Sequence, residues 1–306
     1  MYVIFTLLSL YFLFALVTGT VVAHVTTHPD VNNFKKEKEE LLQLGFDVDR
    51  FLKDFKVENH VCISTDGYKI HYSLIKKEGS KSTVIIAHGY CGNRFSVYPY
   101  VQMFAKFGFN CVVYDQRGHG ENEKAFTTMG FYESEDFIKV AENSLKLLGA
   151  QKTIGFAGVS MGAATVLLAQ RKGLKPDFII SDSSYSSLGE LIRYRIAYLK
   201  KPRCRLTVPV SGAIFRLIYH IRLKEISPLI AVKNTDENIP ILFIHGRCDK
   251  TVPYTMFEEL YKAKKGLKQS FVSDGQPHAK MIFNEPDLYQ KTLSEFLSKY
   301  VHKSDK

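Results

Sequence analysis

Residues 154–172 read IGFAGVSMGAATVLLAQRK. Ile154–Ala157 is a short apolar run, Gly158-Val159-Ser160-Met161-Gly162 follows it directly, and Ala163–Lys172 has the composition of a helix. A serine flanked by small residues at a strand-to-helix junction is a nucleophile elbow. The sharp turn lifts the hydroxyl above a sheet, the glycines let strand and helix pack closely, and the helix N-terminus favours negative charge developing beside it. The stretch therefore predicts a strand that ends at a reactive serine.

Outward from the elbow, similar apolar runs recur at Val84–Ala87, Cys111–Tyr114, Phe178–Ser181 and Ile241–Ile244, with a more mixed one at Gln269–Ser273. Runs without polar alternation fit strands covered on both faces. Helix-length segments separate them, for example Ser96–Phe107, Glu133–Leu148 and Tyr254–Lys264. That rhythm predicts a mostly parallel sheet flanked by helices. His60–Thr65 and Tyr68–Ile75, joined by Asp66-Gly67, read as a hairpin placed before it.

Nearly sixty residues separate Asp182 from Ile241, more than a crossover helix needs, and 183–225 is expected to be an inserted helical cap. In its second half Ile214, Leu217, Ile218 and Ile221 follow helical spacing, and in its first half Leu188, Leu191, Ile192 and Leu199 do the same. The cap holds nine basic residues (Arg193, Arg195, Lys200, Lys201, Arg203, Arg205, Arg216, Arg222 and Lys224) against Glu190 and Glu225, a net of +7 out of +10 for the whole chain. Residues 1–25 carry no charged side chain, and such a stretch is long enough to span a bilayer. It lacks the basic leader and short apolar core of a signal peptide, so an uncleaved single-pass anchor is expected, with cleavage after Ala23 as the alternative. Lys35, Lys36 and Lys38 behind it favour a cytoplasmic main domain by the positive-inside bias, without fixing the side. Residues 26–55 are expected to form a linker helix, and 56–182 with 226–302 the enzyme core.

The 306 residues are 45% hydrophobic and 24% charged, which excludes a disordered or collagen-like chain. Cys62, Cys91, Cys111, Cys204 and Cys248 show no CxxC spacing, so neither a disulfide framework nor a thiolate metal site is indicated. No dinucleotide fingerprint, phosphate loop or HExxH occurs, and nothing points to nucleic acid.

A serine nucleophile needs a base, and the base an acid to orient it. His278, after the last strand-like run, is the candidate base. Asp249, just past Ile241–Ile244, is the candidate acid, with Asp182 as its rival. The order Ser160, Asp249, His278 is the one that accompanies the elbow. The loop His88-Gly89-Tyr90-Cys91-Gly92-Asn93 follows a strand where a second oxyanion donor belongs. The backbone amides of Tyr90 and Met161 are assigned to that hole, and His88 to bracing the loop. Asp115-Gln116-Arg117-Gly118-His119-Gly120 reads as a structural turn.

Taken together, the His-Gly loop at 88–93, the Asp-x-Arg-Gly-His-Gly turn at 115–120, the elbow at 158–162, the stretch 245–253 and Pro277-His278 resemble the α/β-hydrolase superfamily over roughly residues 60–300. Within it the chain is similar to serine-aminopeptidase-like and monoglyceride-lipase-like bacterial hydrolases. The resemblance implies an eight-stranded sheet, a lid between strands six and seven, and a triad of Ser160, Asp249 and His278. Glu121-Asn122 departs from the serine that relatives often place after the Gly-His-Gly turn. The expected activity is hydrolysis of carboxylic esters, of acyl lipids or small acyl esters, with no metal or organic cofactor required. A thioesterase or peptidase on the same triad, and a membrane-tethered binding module that keeps the fold without catalysis, are the alternatives.

Overall fold

The apolar runs pair edge to edge in the computed structural model, which describes residues 2–198 and 206–301. The strands are β1 (Val57–Ile63), β2 (Lys69–Ile75), β3 (Ser82–Ala87), β4 (Asn110–Tyr114), β5 (Thr153–Val159), β6 (Phe178–Asp182), β7 (Ile241–Gly246) and β8 (Lys268–Ser273). They form one sheet in the order β1-β2-β4-β3-β5-β6-β7-β8. β1 and β2 run antiparallel to their neighbours and the remaining pairs are parallel. Gly67, at φ +86°, takes the left-handed position that the hairpin turn needs.

The helices are α1 (Tyr2–Thr27), α2 (Phe34–Gln43), α3 (Val48–Asp54), α4 (Tyr98–Lys106), α5 (Phe131–Leu148), α6 (Met161–Ala169), α7 (Leu188–Tyr198), α8 (Thr207–Ile218), α9 (Pro228–Lys233), α10 (Tyr254–Ala263), α11 (Met281–Asn284) and α12 (Pro286–Tyr300). Strand alternation explains why the runs are apolar throughout. Val84 and Ile86 of β3 enter a core layer with Phe104 of α4 and Phe296 of α12, while Ile85 and Ala87 enter the opposite layer with Phe137 of α5 and Val166 of α6. With both faces covered, a polar residue on either side would be buried without water.

A third apolar cluster lies over the elbow. It joins Met161 and Ala164 of α6, Leu188, Leu191 and Ile192 of α7, and Phe215 of α8 to Ala23 of α1. The long apolar helix is thus not detached from the rest. Ala15, Gly19, Ala23 and Thr27, each four apart, form its buried stripe. A Cβ at Gly19 would lie 2.5 Å from a methyl of Val210 in α8. Only a glycine lets the two backbones come this close. Thr18 and Thr207 share a hydrogen bond of 2.9 Å, and the hydroxyls of Thr27 and Tyr219 one of 2.8 Å.

Two expectations differ from what is seen. Residues 26–55 do not make one linker helix: α1 runs to Thr27, and α2 and α3 follow as separate helices capped by Asn33 and Asp47. Leu41, Val48 and Phe51 from these two helices are buried in the sheet's core, with the Phe51 ring stacked on Tyr98. The cap's second apolar stripe also falls otherwise. α8 ends at Ile218, His220 takes a positive φ, and Leu217 and Ile218 remain 76% and 62% exposed while Phe215, Tyr219 and Ile221 are buried. Leu199, Lys200, Lys201, Arg203, Cys204 and Arg205 lie outside the described residues.

α2 is fastened to the loop after β3. The Asn32 amide N–H donates to the Cys91 carbonyl at 2.8 Å, and the Asn32 side chain donates to Glu37 at 3.1 Å. Burial raises the Glu37 carboxyl from 4.5 to about 7, against the lowering effect of that Asn32 hydrogen bond. A folded carboxyl that holds its proton longer than the unfolded one destabilises the fold as pH rises through the window from 4.5 to about 7. Glu37→Gln should flatten this part of the pH–stability curve. At pH 8 it should exceed the parent by on the order of 2–3 kcal/mol in urea unfolding; equal slopes for the two proteins would contradict the account.

Candidate active site

The elbow forms because two strands end beside one helix with no room for side chains. A Cβ at Gly158 would meet the Gly162 carbonyl oxygen at 2.3 Å, and one at Gly162 would meet the Ala87 carbonyl oxygen at 2.1 Å. Between them Ser160 sits at φ +56°, ψ −118°, a conformation that costs a non-glycine residue about 1–3 kcal/mol. Two backbone hydrogen bonds hold it there: its N–H donates to the Asp182 carbonyl at 2.8 Å, and its carbonyl accepts from the Ala164 N–H at 3.1 Å.

The loop after β8 brings His278 over this serine. Ser160 Oγ and His278 Nε2 are 2.8 Å apart, and His278 Nδ1 is 2.6 Å from Asp249 Oδ2. A carboxylate can only accept, so Nδ1 carries the proton and Nε2 is left to accept from the serine hydroxyl. Asp249 is buried, and its other oxygen accepts from the Thr251 and Val252 amides, both at 2.8 Å. These bonds fix the carboxylate independently of its contact with the histidine. The rival Asp182 is differently engaged. It accepts from the Tyr100 and Tyr289 hydroxyls at 3.0 and 3.1 Å and from Ser183 at 2.9 Å, and burial pushes its carboxyl above the usual range. His245, in the 245–253 stretch, bonds the Val252 carbonyl at 3.0 Å from the same loop, and burial disfavours its charged form.

The loop 88–93 lies directly against the serine, because a Cβ at Gly89 would be only 3.5 Å from Ser160 Cβ. His88 is buried, which lowers its pKa well below the usual value and keeps the ring neutral. Its Nδ1–H donates to the Gly89 carbonyl at 2.7 Å, and its Nε2 accepts the Gln116 amide at 2.9 Å. The histidine thereby ties the loop to the turn after β4. In that turn Asp115 accepts the amides of Arg94 at 2.8 Å and Glu121 at 3.0 Å and pairs with the Arg94 guanidinium. Arg117 pairs with buried Asp136 at 2.8 Å through two nitrogens and with Asp66 at 2.9 Å. Glu121 reaches Arg94 at 3.0 Å, and Asn122 donates to the carbonyls of Asp115 and Gln116. Glu121 and Asn122 are therefore built into the turn.

Tyr90 and Met161, the residues expected to supply oxyanion-hole amides, flank Ser160 in space: Tyr90 in the abutting loop and Met161 as the first residue of α6. Above them opens an apolar cavity of about 580 Å³, within the range of small-molecule sites. Ser160 and Tyr90 line it together with Met129, Tyr185, Leu191 and Val252, and Arg195 is the one charged side chain in the lining among the described residues. Sequence reasoning missed part of this wall. Val17, Thr18, Val21, Val22, Val25 and Thr26 of α1 also line the cavity, and the Tyr90 hydroxyl donates to the Val25 carbonyl at 2.5 Å. No periodicity within α1 could have announced a contact with residues so far along the chain.

A parallel sheet of this strand order, an elbow between β5 and α6, and polar loops converging on it at the strands' C-terminal ends define an α/β hydrolase, and the chain belongs to that family. The model of the alpha/beta hydrolase fold matches residues 82–181. The uncharacterized protein YqkD of Bacillus subtilis is 30% identical over 291 residues, covering 92% of this chain and 94% of its own. The YfhR protein of Escherichia coli K12 is 25% identical over 239 residues, 76% of this chain and 75% of its own. Among solved structures, the Pyrococcus furiosus esterase Pf2001 superposes with a TM-score of 0.70 at 22% identity, over 90% of this chain and 98% of that one.

The crowding at the elbow yields a measurable expectation. Gly162→Ala must displace the end of β3 or the start of α6, since the atom it meets is backbone, and should cost about 1–3 kcal/mol in urea unfolding. An unchanged midpoint would show that the two segments can part without cost.

Proposed function

We propose that this chain is a serine hydrolase of carboxylic esters. The observation that carries the reading is the unbroken line of hydrogen bonds from Ser160 Oγ through His278 to Asp249, starting at a strained elbow and facing an apolar cavity. In the first step Ser160 Oγ attacks the ester carbonyl carbon as His278 Nε2 takes the hydroxyl proton. Asp249 keeps the imidazole in the required tautomer and stabilises its charged form. The tetrahedral oxyanion is received by the Tyr90 and Met161 amides and favoured by the α6 N-terminus. As the intermediate collapses, the C–O bond breaks and His278 gives its proton to the departing alcohol. A water molecule, deprotonated by the same imidazole, then releases the acid and restores Ser160.

Esters are favoured over thioesters and amides by the likeness to the Pyrococcus furiosus esterase, and the apolar lining of the cavity suits an acyl chain. A peptidase reading has its own support, since the Pyrococcus horikoshii acylaminoacyl peptidase superposes with a TM-score of 0.61 at 20% identity, covering 82% of this chain and 43% of that one. α7 and α8, which lie between β6 and β7, act as the lid of the cavity, and α1 as a membrane anchor.

A panel of p-nitrophenyl ester, thioester and anilide substrates separates these chemistries, and labelling with a fluorophosphonate reads the nucleophile directly. Ser160→Ala should abolish both turnover and labelling. Asp249→Asn should lower kcat by roughly a thousandfold or more while the protein stays folded, whereas Asp182→Asn should cost much less. Equal losses for the two aspartates would overturn the assignment of Asp249, and a labelled Ser160→Ala protein would overturn that of Ser160.

A further inference from the structure

We propose that α1 is retained in the working protein as a wall of the substrate cleft, and that the cleft takes the acyl chain of a membrane-resident ester directly from the bilayer. This rests on the ester-hydrolase reading above and adds the source and class of its substrate. Val17, Val21 and Val25 are spaced four apart and so share one face of α1. Each lines the cavity that contains Ser160, yet each is more than half exposed, at 53%, 54% and 61%. Leu191, Ile192 and Ile196 of α7 line the same cavity, with Arg195 beside them, so an alkyl chain leading away from Ser160 would lie between apolar side chains of two helices.

The outer rim of this slot is not a water-facing surface in composition. Along α1 the exposed side chains from Tyr2 to Leu16 are apolar except for Thr6 and Ser9, and α8, packed beside α1, adds exposed Leu217 and Ile218. An exposed apolar surface this extensive marks contact with a membrane or partner, and a charge-free helix of 26 residues has the length for a bilayer. Val17, Val21 and Val25 belong to that surface and to the cavity at once. An acyl chain could therefore pass from lipid to Ser160 along apolar side chains. Each methylene it buries should raise binding about threefold to fourfold.

α1 is also built to stay. Gly19 admits Val210, and polar bonds join Thr18 to Thr207, Thr27 to Tyr219, and the Tyr90 hydroxyl to the Val25 carbonyl. A signal segment cut after Ala23 would take Thr18 from Thr207 and Gly19 from Val210, and would remove Val17, Val21 and Val22 from the cavity wall.

The test uses the full chain in phosphatidylcholine vesicles. A sixteen-carbon fatty acid bearing a terminal diazirine is photolysed with the Ser160→Ala protein, which needs no turnover; the expected crosslinks fall on residues 17–25 and on α7. In the active protein, Val21→Trp should lower the ratio of kcat/KM for dodecanoyl over butanoyl p-nitrophenyl ester about tenfold or more. Leu16→Trp, on α1 but outside the cavity lining, should leave that ratio and both rates unchanged. Crosslinks confined to other segments, an unaltered ratio in Val21→Trp, or a membrane-purified protein whose N-terminus begins at His24 would each overturn the proposal. Failure of the hydrolase reading looks different: no ester is turned over and Ser160 resists fluorophosphonate, while the crosslinking map still decides whether α1 lines the cleft.

Discussion

The contact on which the rest depends is backbone against backbone, where the start of α6 presses on the end of β3. Gly158 and Gly162 leave no side-chain atoms in that gap. The approach is possible only because β3 and β5 are neighbours in register, Ala87 beside Gly158, so both strands end at one level. Ser160 cannot relax out of its strained turn while β6 holds its amide through Asp182 and α6 holds its carbonyl. Three elements thus share the cost of one conformation.

Around this point buried polar groups do the work that apolar packing cannot, which is to fix direction. His88 joins the loop after β3 to the turn after β4, and the Gln116 side chain closes the circuit by donating to the His88 carbonyl and accepting from Thr165 in α6. Asp249 is oriented by two amides of its own loop as well as by His278. Buried groups left unpaired would be expensive. The same expense, once the bonds are made, holds the loops in one arrangement and presents the serine and the histidine to each other without a search.

Much of this was legible in the residues. Continuous apolar runs located β3 to β7 to within a few positions, because a strand covered on both faces tolerates no polar alternation. Ser160, Asp249 and His278 could be nominated from chain order and strand ends, and the structure brings the three side chains together. What stayed hidden was set by contacts distant in sequence. Leu41, Val48 and Phe51 looked like the spaced apolar residues of a linker, since nothing local says that the sheet's core will receive them. The stripe Ile214, Leu217, Ile218, Ile221 obeyed helical spacing, yet the helix stopped at Ile218 and its buried side was decided by α1. The stripe Ala15, Gly19, Ala23 was lost within a segment read for its lack of charge.

Tyr90 connects two matters that are usually handled apart. Its backbone lies in the loop against the serine, and its hydroxyl grips the last turn of the apolar helix. The customary remedy for a poorly soluble protein is to trim such a helix and study what dissolves. Here trimming would free the tyrosine ring, uncover Phe215 and Tyr219, and leave a cleft with one side missing. A water-soluble remnant could keep its polar residues in place and still report the preferences of a different enzyme.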